Sequence, residues 1–327
     1  MTNNSSLENT TIDLVYKYID LKDPALKRAN AVRKDYDNEE LRYSLRSALK
    51  NIPWIRHIFI IMPNERVRFL KAPEEISEKI TYIKDSDLLG FDSASSTTFE
   101  FNLWRLSDFN CSENIIYAND DCFFGRPLTK SDFFYEEVTG VKPYTLYRDA
   151  IGKNMRFLIE FQYLLASKLL KNCSPNSMQG FYYRVLHAHD ITCKALPDKK
   201  LTFPKYPLNT LHNAIPLKLS EIKTCSRLAA KYCKNPEICL ESRSNSILQP
   251  SFQNLYSFYF VNSANRKINR ELTYTVASIQ RCAKADFNYD LFCINTGADG
   301  GSQKAREQAQ RVMRRLFPEP SKYELKA

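Results

Sequence analysis

Four apolar, β-prone runs constrain this chain more than any other feature. Each is closed by a carboxylate or a proline, and stretches with helical spacing separate them. Residues 12–19 run into Asp20-Leu-Lys-Asp23-Pro24, and residues 55–62 stop at Pro63. Residues 80–84 stop at Asp85, and Ile115-Ile116-Tyr117-Ala118 lead into Asn119, Asp120 and Asp121. After the first run a helix capped by Asp37 or Asn38 is predicted through about Asn51, with Leu41, Leu45, Ala48 and Leu49 as its apolar stripe. Shorter helical stretches are predicted over 66–79 and 97–108. The alternation predicts an α/β fold with a mainly parallel sheet, flanking helices and right-handed crossovers. In such sheets ligands bind outside the carboxyl ends of the strands, where Asp20, Asp23, Asp85, Asp120 and Asp121 all fall.

The pair Asp120 and Asp121 is the sharpest local signal. Adjacent carboxylates repel unless a cation or a proton sits between them. Hard oxygen ligands at a strand end suit Mg²⁺ or Mn²⁺ holding a diphosphate. Asn-Asp-Asp before a break closed by Gly125 and Pro127 is also ordinary turn chemistry. The chain has eight glycines and neither a GxGxxG nor a Walker loop, which argues against dinucleotide dehydrogenases and P-loop NTPases. A strand-end acidic motif without a glycine cradle fits nucleotide-sugar chemistry, in which the metal rather than the backbone carries the phosphates.

Beyond residue 130 the pattern reads as mostly helical. Helices are predicted over 154–171, 217–235 and 302–316, loops over 172–216, and a late strand from Tyr289 into Asn295. Residues 251–261 fit either a helix or a strand. Three parts are expected: an α/β nucleotide-sugar and metal part over 1–135, a mostly helical acceptor part over 136–285, and a strand and helix over 286–327 that complete the catalytic domain. No run has the length of a membrane span, and the first residues lack the basic and apolar regions of a secretory signal. Nine cysteines without CxxC pairs argue for reduced thiols and against a zinc site or disulfide frame. His187 and His189 flank Ala188, but no third metal ligand is evident, so the plainer reading is preferred. Residues 201–327 carry 19 Lys+Arg against 10 Asp+Glu, which places nearly all of the net +10 in the last third. Such a face is either simply solvated or meets an anionic membrane, nucleic acid or a phosphorylated substrate.

Four blocks, in order from residue 12 to residue 324, together resemble the Stealth family of hexose-1-phosphate transferases. That family includes bacterial capsule phosphotransferases and the animal enzyme that begins mannose-6-phosphate tagging. The first block is 12–24, with Tyr18 and Leu21 where the family has Trp and Gly. The second joins Glu40-Leu-Arg-Tyr-Ser-Leu-Arg-Ser47, Pro53-Trp54-Ile55-Arg56 and Asn119 to Pro127, followed by Asp132-Phe133-Phe134. Within it Ser95 to Thr98 replace an Asn-rich stretch, while Glu100 and Arg105 keep their spacing. The third pairs Leu211-His212 to Pro216 with Ser242-Arg243-Ser244. The fourth pairs Phe292-Cys-Ile-Asn295-Thr296-Gly297 with Phe317 to Glu324, and Thr296 replaces an Asp of the family.

The resemblance implies a glycosyltransferase type A-like fold with a more helical C-terminal part. It implies metal-dependent transfer of a sugar-1-phosphate from a nucleotide-sugar, with UDP-sugars favoured, to a hydroxyl of a capsule, exopolysaccharide or lipo-oligosaccharide glycan, free or lipid-linked. Asp120, Asp121 and Asn295 would hold Mg²⁺ or Mn²⁺, His212 would act as general base, and Arg243 would clamp phosphate. Asp20, Asp23, Arg42, Arg46, Glu100 and Arg105 would contact substrate; for Arg42, Arg46 and Arg243 a plain salt bridge is the competing reading. The expected location is the cytoplasm, with peripheral attachment to the inner membrane face and no nucleic acid partner. The first rival is a metal-dependent glycosyltransferase on the same scaffold. The second is a non-enzymatic basic adaptor for membrane or nucleic acid, which leaves the four ordered blocks unexplained.

Overall fold

The computed structural model describes residues 6–18, 38–63, 66–93, 95–146, 178–199, 201, 214–243, 246, 248–295 and 302–325. Asp20, Asp23, His212, Thr296 and the helix expected over 154–171 lie outside these residues.

The four apolar runs form β1 (Ile12–Lys17), β2 (Ile58–Met62), β3 (Ile80–Lys84) and β4 (Asn114–Asn119). They pair in parallel in the order β3-β2-β1-β4, the mainly parallel arrangement expected for a type A-like α/β fold. Further on come β5 (Cys122–Phe124), β6 (Phe134–Glu137), β7 (Gly140–Pro143), β8 (Thr145–Leu146) and β9 (Ile215–Lys218). The last strands are β10 (Ile268–Asn269), β11 (Tyr274–Ser278) and β12 (Leu291–Asn295). β9 closes the main sheet antiparallel to β4, while β11-β12-β5 make a separate three-stranded sheet.

Strand alternation sends side chains to both faces of the main sheet, and both are covered. Leu14, Tyr16, Ile60 and Ile116 pack with Leu41, Leu45 and Ala48 of the helix Glu40–Asn51, whose stripe is the predicted one. Val15, Ile61, Ile115 and Tyr117 pack on the opposite face with Phe99 and Phe101 of the helix Ser96–Asn102 and with Ile222 and Cys225 of the helix Leu219–Tyr232. Ser95 caps Ser96–Asn102 by accepting from the Thr98 amide at 3.2 Å.

Among the described residues, the stretch after residue 130 is mostly helical as expected, and it also contains the hairpin β6–β7, in which Gly140 takes φ 106°, as well as β8. One expectation is corrected. Residues 178–195, expected as loop, form a helix, Met178–Ala195. Proline and asparagine on either side weighed too heavily there; Val185, Ala188, Ile191 and Thr192 make a buried helical stripe within it. The ambiguous 251–261 run is the helix Phe252–Ala264. Among the described residues, no helix is long and apolar enough to cross a membrane, and all eight cysteines are free.

Candidate active site

The turn Asp120–Asp121 is clamped from both sides. β4 holds its start within the main sheet, where Asn119 lies opposite Lys17 of β1. β5 holds its end, tied to the helix Glu40–Asn51 by three buried polar side chains one turn apart. Ser44 donates to the Cys122 carbonyl and shares a 2.8 Å hydrogen bond with the Tyr16 hydroxyl. Ser47 accepts from the Phe124 amide at 3.1 Å, and the Asn51 amide group donates to the Phe124 carbonyl at 2.6 Å. Serines inside a helix are weak helix formers; here their hydroxyls satisfy a buried strand that would otherwise lose backbone partners.

The third fixing element is β12. Cys293 stands opposite Cys122 and Phe292 opposite Phe123. The Ile294 amide donates to the Asp121 carbonyl at 3.1 Å. Asn295, the next residue, ends β12. Of the residues expected to hold a divalent cation, Asp120 and Asp121 of the second block are thereby set beside the end of β12, which carries Asn295 of the fourth. Their oxygen donors suit a hard ion. Gly125 follows directly, with its amide donating to the Asp290 carbonyl at 2.8 Å.

Burial, and after it the charges of Glu100, Cys122 and Asp120, hold the Tyr117 phenol well above its ordinary range. Its hydroxyl finds no hydrogen-bond partner among the described residues. Glu100 is itself buried and accepts from the Gln253 side-chain amide at 2.9 Å. Near it lies Arg184, which donates to the Thr97 hydroxyl. Burial lowers the guanidinium's affinity for its proton and Glu100 partly restores it. Arg184 escaped sequence reasoning because its segment read as loop.

The other predicted arginines divide into two groups. Arg46 grips Glu324 with Nε at 2.8 Å and a terminal nitrogen at 2.6 Å, and donates to the Phe317 carbonyl at 2.9 Å. Arg42 bonds Glu39 at 2.8 Å and reaches Glu324 at 3.4 Å. Both thus fasten the second block to the fourth. Arg105 and Arg243 instead line one cleft of about 580 Å³, together with Trp104, Lys223, Arg227 and Glu241. Arg105 and Lys223 lie over the Trp104 ring, at 5.5 and 4.5 Å from its centroid. The cleft lining includes none of Asp120, Asp121 or Asn295.

Hydrogen bonds outside the cleft lining also join distant segments. Ser93 donates to the Ser242 carbonyl at 2.7 Å. The Gln249 side-chain amide donates to Ser95 Oγ at 3.1 Å, Thr98 Oγ1 at 3.3 Å and the Ile238 carbonyl at 2.6 Å. Asp85 is not an open rim carboxylate: Lys17 meets both its oxygens at 2.9 and 3.0 Å, and both side chains are buried. His187 and His189 lie in the helix Met178–Ala195, where burial lowers both imidazoles' proton affinity. The His189 ring packs edge-on against Phe258.

Comparison with known proteins accords with this assembly. The description "Stealth protein CR2, conserved region 2" matches residues 34–141, which span β2 to β4, the Asp120–Asp121 turn and β5. A capsular polysaccharide phosphotransferase of Actinobacillus pleuropneumoniae, cps1A, is 34% identical over 149 residues, 40% of this chain and 40% of that protein. An exopolysaccharide phosphotransferase of Streptomyces coelicolor is 33% identical over 179 residues, 45% of this chain and 29% of that protein. The exopolysaccharide phosphotransferase CpsY of Mycobacterium leprae is 24% identical over 336 residues, covering 96% of this chain and 57% of the relative. The chain thus spans less than two thirds of the length of each of these relatives. The fold and the clamped acidic turn define a type A-like α/β protein with a strand-end acidic motif. Residues 34–141 thus match conserved region 2 of the Stealth proteins, and the chain is similar in sequence to these phosphotransferases.

Proposed function

We propose that the protein transfers a sugar-1-phosphate from a nucleotide-sugar, preferably a UDP-sugar, to a hydroxyl of a capsule or exopolysaccharide glycan. The acceptor oxygen attacks the phosphorus that carries the sugar. The phosphoanhydride bond to the nucleotide breaks, the nucleoside monophosphate leaves with the bridging oxygen, and the hydroxyl proton passes to a base. Relatives named as capsular and exopolysaccharide phosphotransferases support this class of reaction. One observation carries it furthest. Blocks two, three and four, scattered between residues 40 and 324, are joined through Arg46–Glu324, Asp121–Ile294 and Ser93–Ser242.

Chemistry of this kind depends on positioning and charge neutralisation. Asp120, Asp121 and Asn295 would hold Mg²⁺ or Mn²⁺, which would neutralise charge on the diphosphate. The Arg105 and Arg243 cleft suits an anionic portion of the substrate. His212 is assigned the base on the resemblance, while Asp20 and Asp23 are assigned to the nucleoside. The basic final third would hold the protein against an anionic inner membrane face.

The test is ³¹P NMR of the protein with UDP-N-acetylglucosamine, Mg²⁺ and a panel of acceptor glycans. Phosphodiester growth matched by UMP, and absent in Asp121→Ala, supports the assignment. UDP release without a phosphodiester transfers it to a glycosyltransferase on the same scaffold. Sedimentation with phosphatidylglycerol vesicles tests membrane attachment, which should weaken as salt rises.

A further inference from the structure

Two sulfur atoms face the same carboxylate of the acidic turn. Cys122 of β5 and Cys293 of β12 are directly opposed. The neighbouring Ile294–Asp121 hydrogen bond makes theirs the closely spaced pair of the ladder, with both side chains on one face. The Cys293 thiol donates to Asp121 Oδ2 at 3.1 Å, and the Cys122 thiol lies 3.7 Å from Oδ1. One carboxylate oxygen and two sulfurs lie within 4.8 Å of one another. Tetrahedral zinc, with bonds of about 2.3 Å to sulfur and about 2.0–2.2 Å to oxygen, sets its ligand atoms roughly 3.5–3.8 Å apart. Both cysteines are fully buried, while Asp121 is partly exposed, so an ion would arrive from the carboxylate side.

We propose that Asp121, Cys122 and Cys293 bind a thiophilic divalent ion of the zinc class, with the fourth position left to water or a substrate oxygen. Two thiolates and a carboxylate favour zinc over magnesium, because soft sulfur adds nothing to a hard ion's binding. Burial keeps the free Cys293 thiol protonated and inert; coordination removes that proton, so ion binding releases protons and strengthens as pH rises. The inference deepens the proposed function and rests on it for one consequence. Zinc and the hard catalytic ion share Asp121, so zinc inhibits transfer competitively with Mg²⁺. The lack of CxxC pairs counts against zinc only for ligands that are neighbours in sequence, and strand pairing brings these together from afar.

The test is spectroscopic and needs no turnover. The full chain, kept reduced with a phosphine, is titrated with Co²⁺ while the thiolate-to-cobalt band is recorded. One equivalent should saturate the band, and Zn²⁺ should abolish it. Cys122→Ser and Cys293→Ser should each remove about half the intensity and weaken binding about tenfold or more. Asp121→Asn should keep the band and lose affinity. An absent band, or one unchanged in both cysteine variants, overturns the assignment. X-ray absorption of the zinc-loaded wild type guards against a variant that fails to fold: two sulfur neighbours at about 2.3 Å are expected, and a purely nitrogen and oxygen shell overturns the site. If the two-sulfur shell appears but no donor is ever turned over, the transfer reading fails and the ion site stands. If transfer proceeds without a cobalt band or zinc inhibition, the ion site fails and the transfer reading stands.

Discussion

Gly125→Ala should destabilise the protein through close approach of backbone, without any left-handed strain. An added Cβ would fall inside the van der Waals sphere of the Tyr289 carbonyl oxygen, 3.2 Å from the Tyr289 carbonyl carbon and 3.4 Å from Phe292 Cδ1. The two segments must separate by about 1 Å to relieve this. Phe292 has no room to give, being stacked on Phe123 at 4.9 Å and on Phe317 at 6.3 Å. Overpacking of this kind costs about 1–3 kcal/mol. Loss of the 2.8 Å bond from the Gly125 amide to Asp290 adds about 1 kcal/mol. Against this, alanine restricts the unfolded chain and returns about 0.4–1 kcal/mol. The net loss is about 2–3 kcal/mol, a drop of roughly 1 M in the urea midpoint with an unchanged slope. Phosphotransfer should fall as well, because a shift of β5 against β12 moves Asp121 away from Asn295. Gly140→Ala, where the added atom meets open space and only φ 106° is strained, serves as the control. A Gly125→Ala midpoint equal to wild type would refute the reasoning, since it would mean that the Tyr289 carbonyl yields freely.

Asp85→Ala should cost about 3–5 kcal/mol, because it leaves the Lys17 ammonium buried without its partner; Asp85→Ala with Lys17→Met should recover much of that in calorimetry. Burial works to raise the Glu324 carboxyl, but Arg46, the Ser321 amide and Arg42 outweigh it and leave the group below its ordinary range. A depressed carboxyl stabilises the fold above its unfolded value of about 4.3, and this contribution disappears as pH falls through the lower folded value. Glu324→Gln should therefore be less stable at neutral pH and show a flatter acid-side loss, read as Tm against pH. Arg105→Ala and Arg243→Ala should leave Tm within about 1 °C of wild type and reduce kcat/KM for transfer by tenfold or more; unchanged kinetics would exclude the cleft as a substrate site.

The parallel sheet was legible because its signal is local: each strand is a continuous apolar run and each ends at a carboxylate or proline. The acidic turn was legible for the same reason. Long-range pairing was not. Arg42 and Arg46 sit four apart on one helix face, which looks the same for a nucleotide ligand as for a latch onto Glu324, 278 residues away from Arg46. Asp85 has the strand-end position of a ligand, yet Lys17 on the adjoining strand but one neutralises it. The helix Met178–Ala195 was hidden by flanking proline and asparagine, whose turn preference says nothing about residues several positions away. The thiol cluster had no signal at all in spacing, since Cys122 and Cys293 are far apart in the chain and meet only through the register of β5 and β12.

Ser44, Ser47 and Arg46 belong to the same sequence block as the acidic turn, yet they supply placement, while Asp120 and Asp121 supply charge. The division has a physical reason. The cation proposed there, held by two carboxylates and an amide, would need those oxygens fixed to a fraction of an ångström, and a turn between two strands of different sheets is free to hinge unless both strands are anchored. β4 is anchored by the main sheet. β5 has three residues and would be a weak anchor alone, so the helix Glu40–Asn51 secures it through hydroxyl and amide groups, and β12 secures its other edge. Arg46 in turn binds Glu324 beyond the final helix and carries the same framework to the C-terminal segment. A motif scattered along the chain is what such a site requires, because the groups that bear charge and the groups that prevent the turn from hinging come from elements that meet only after folding.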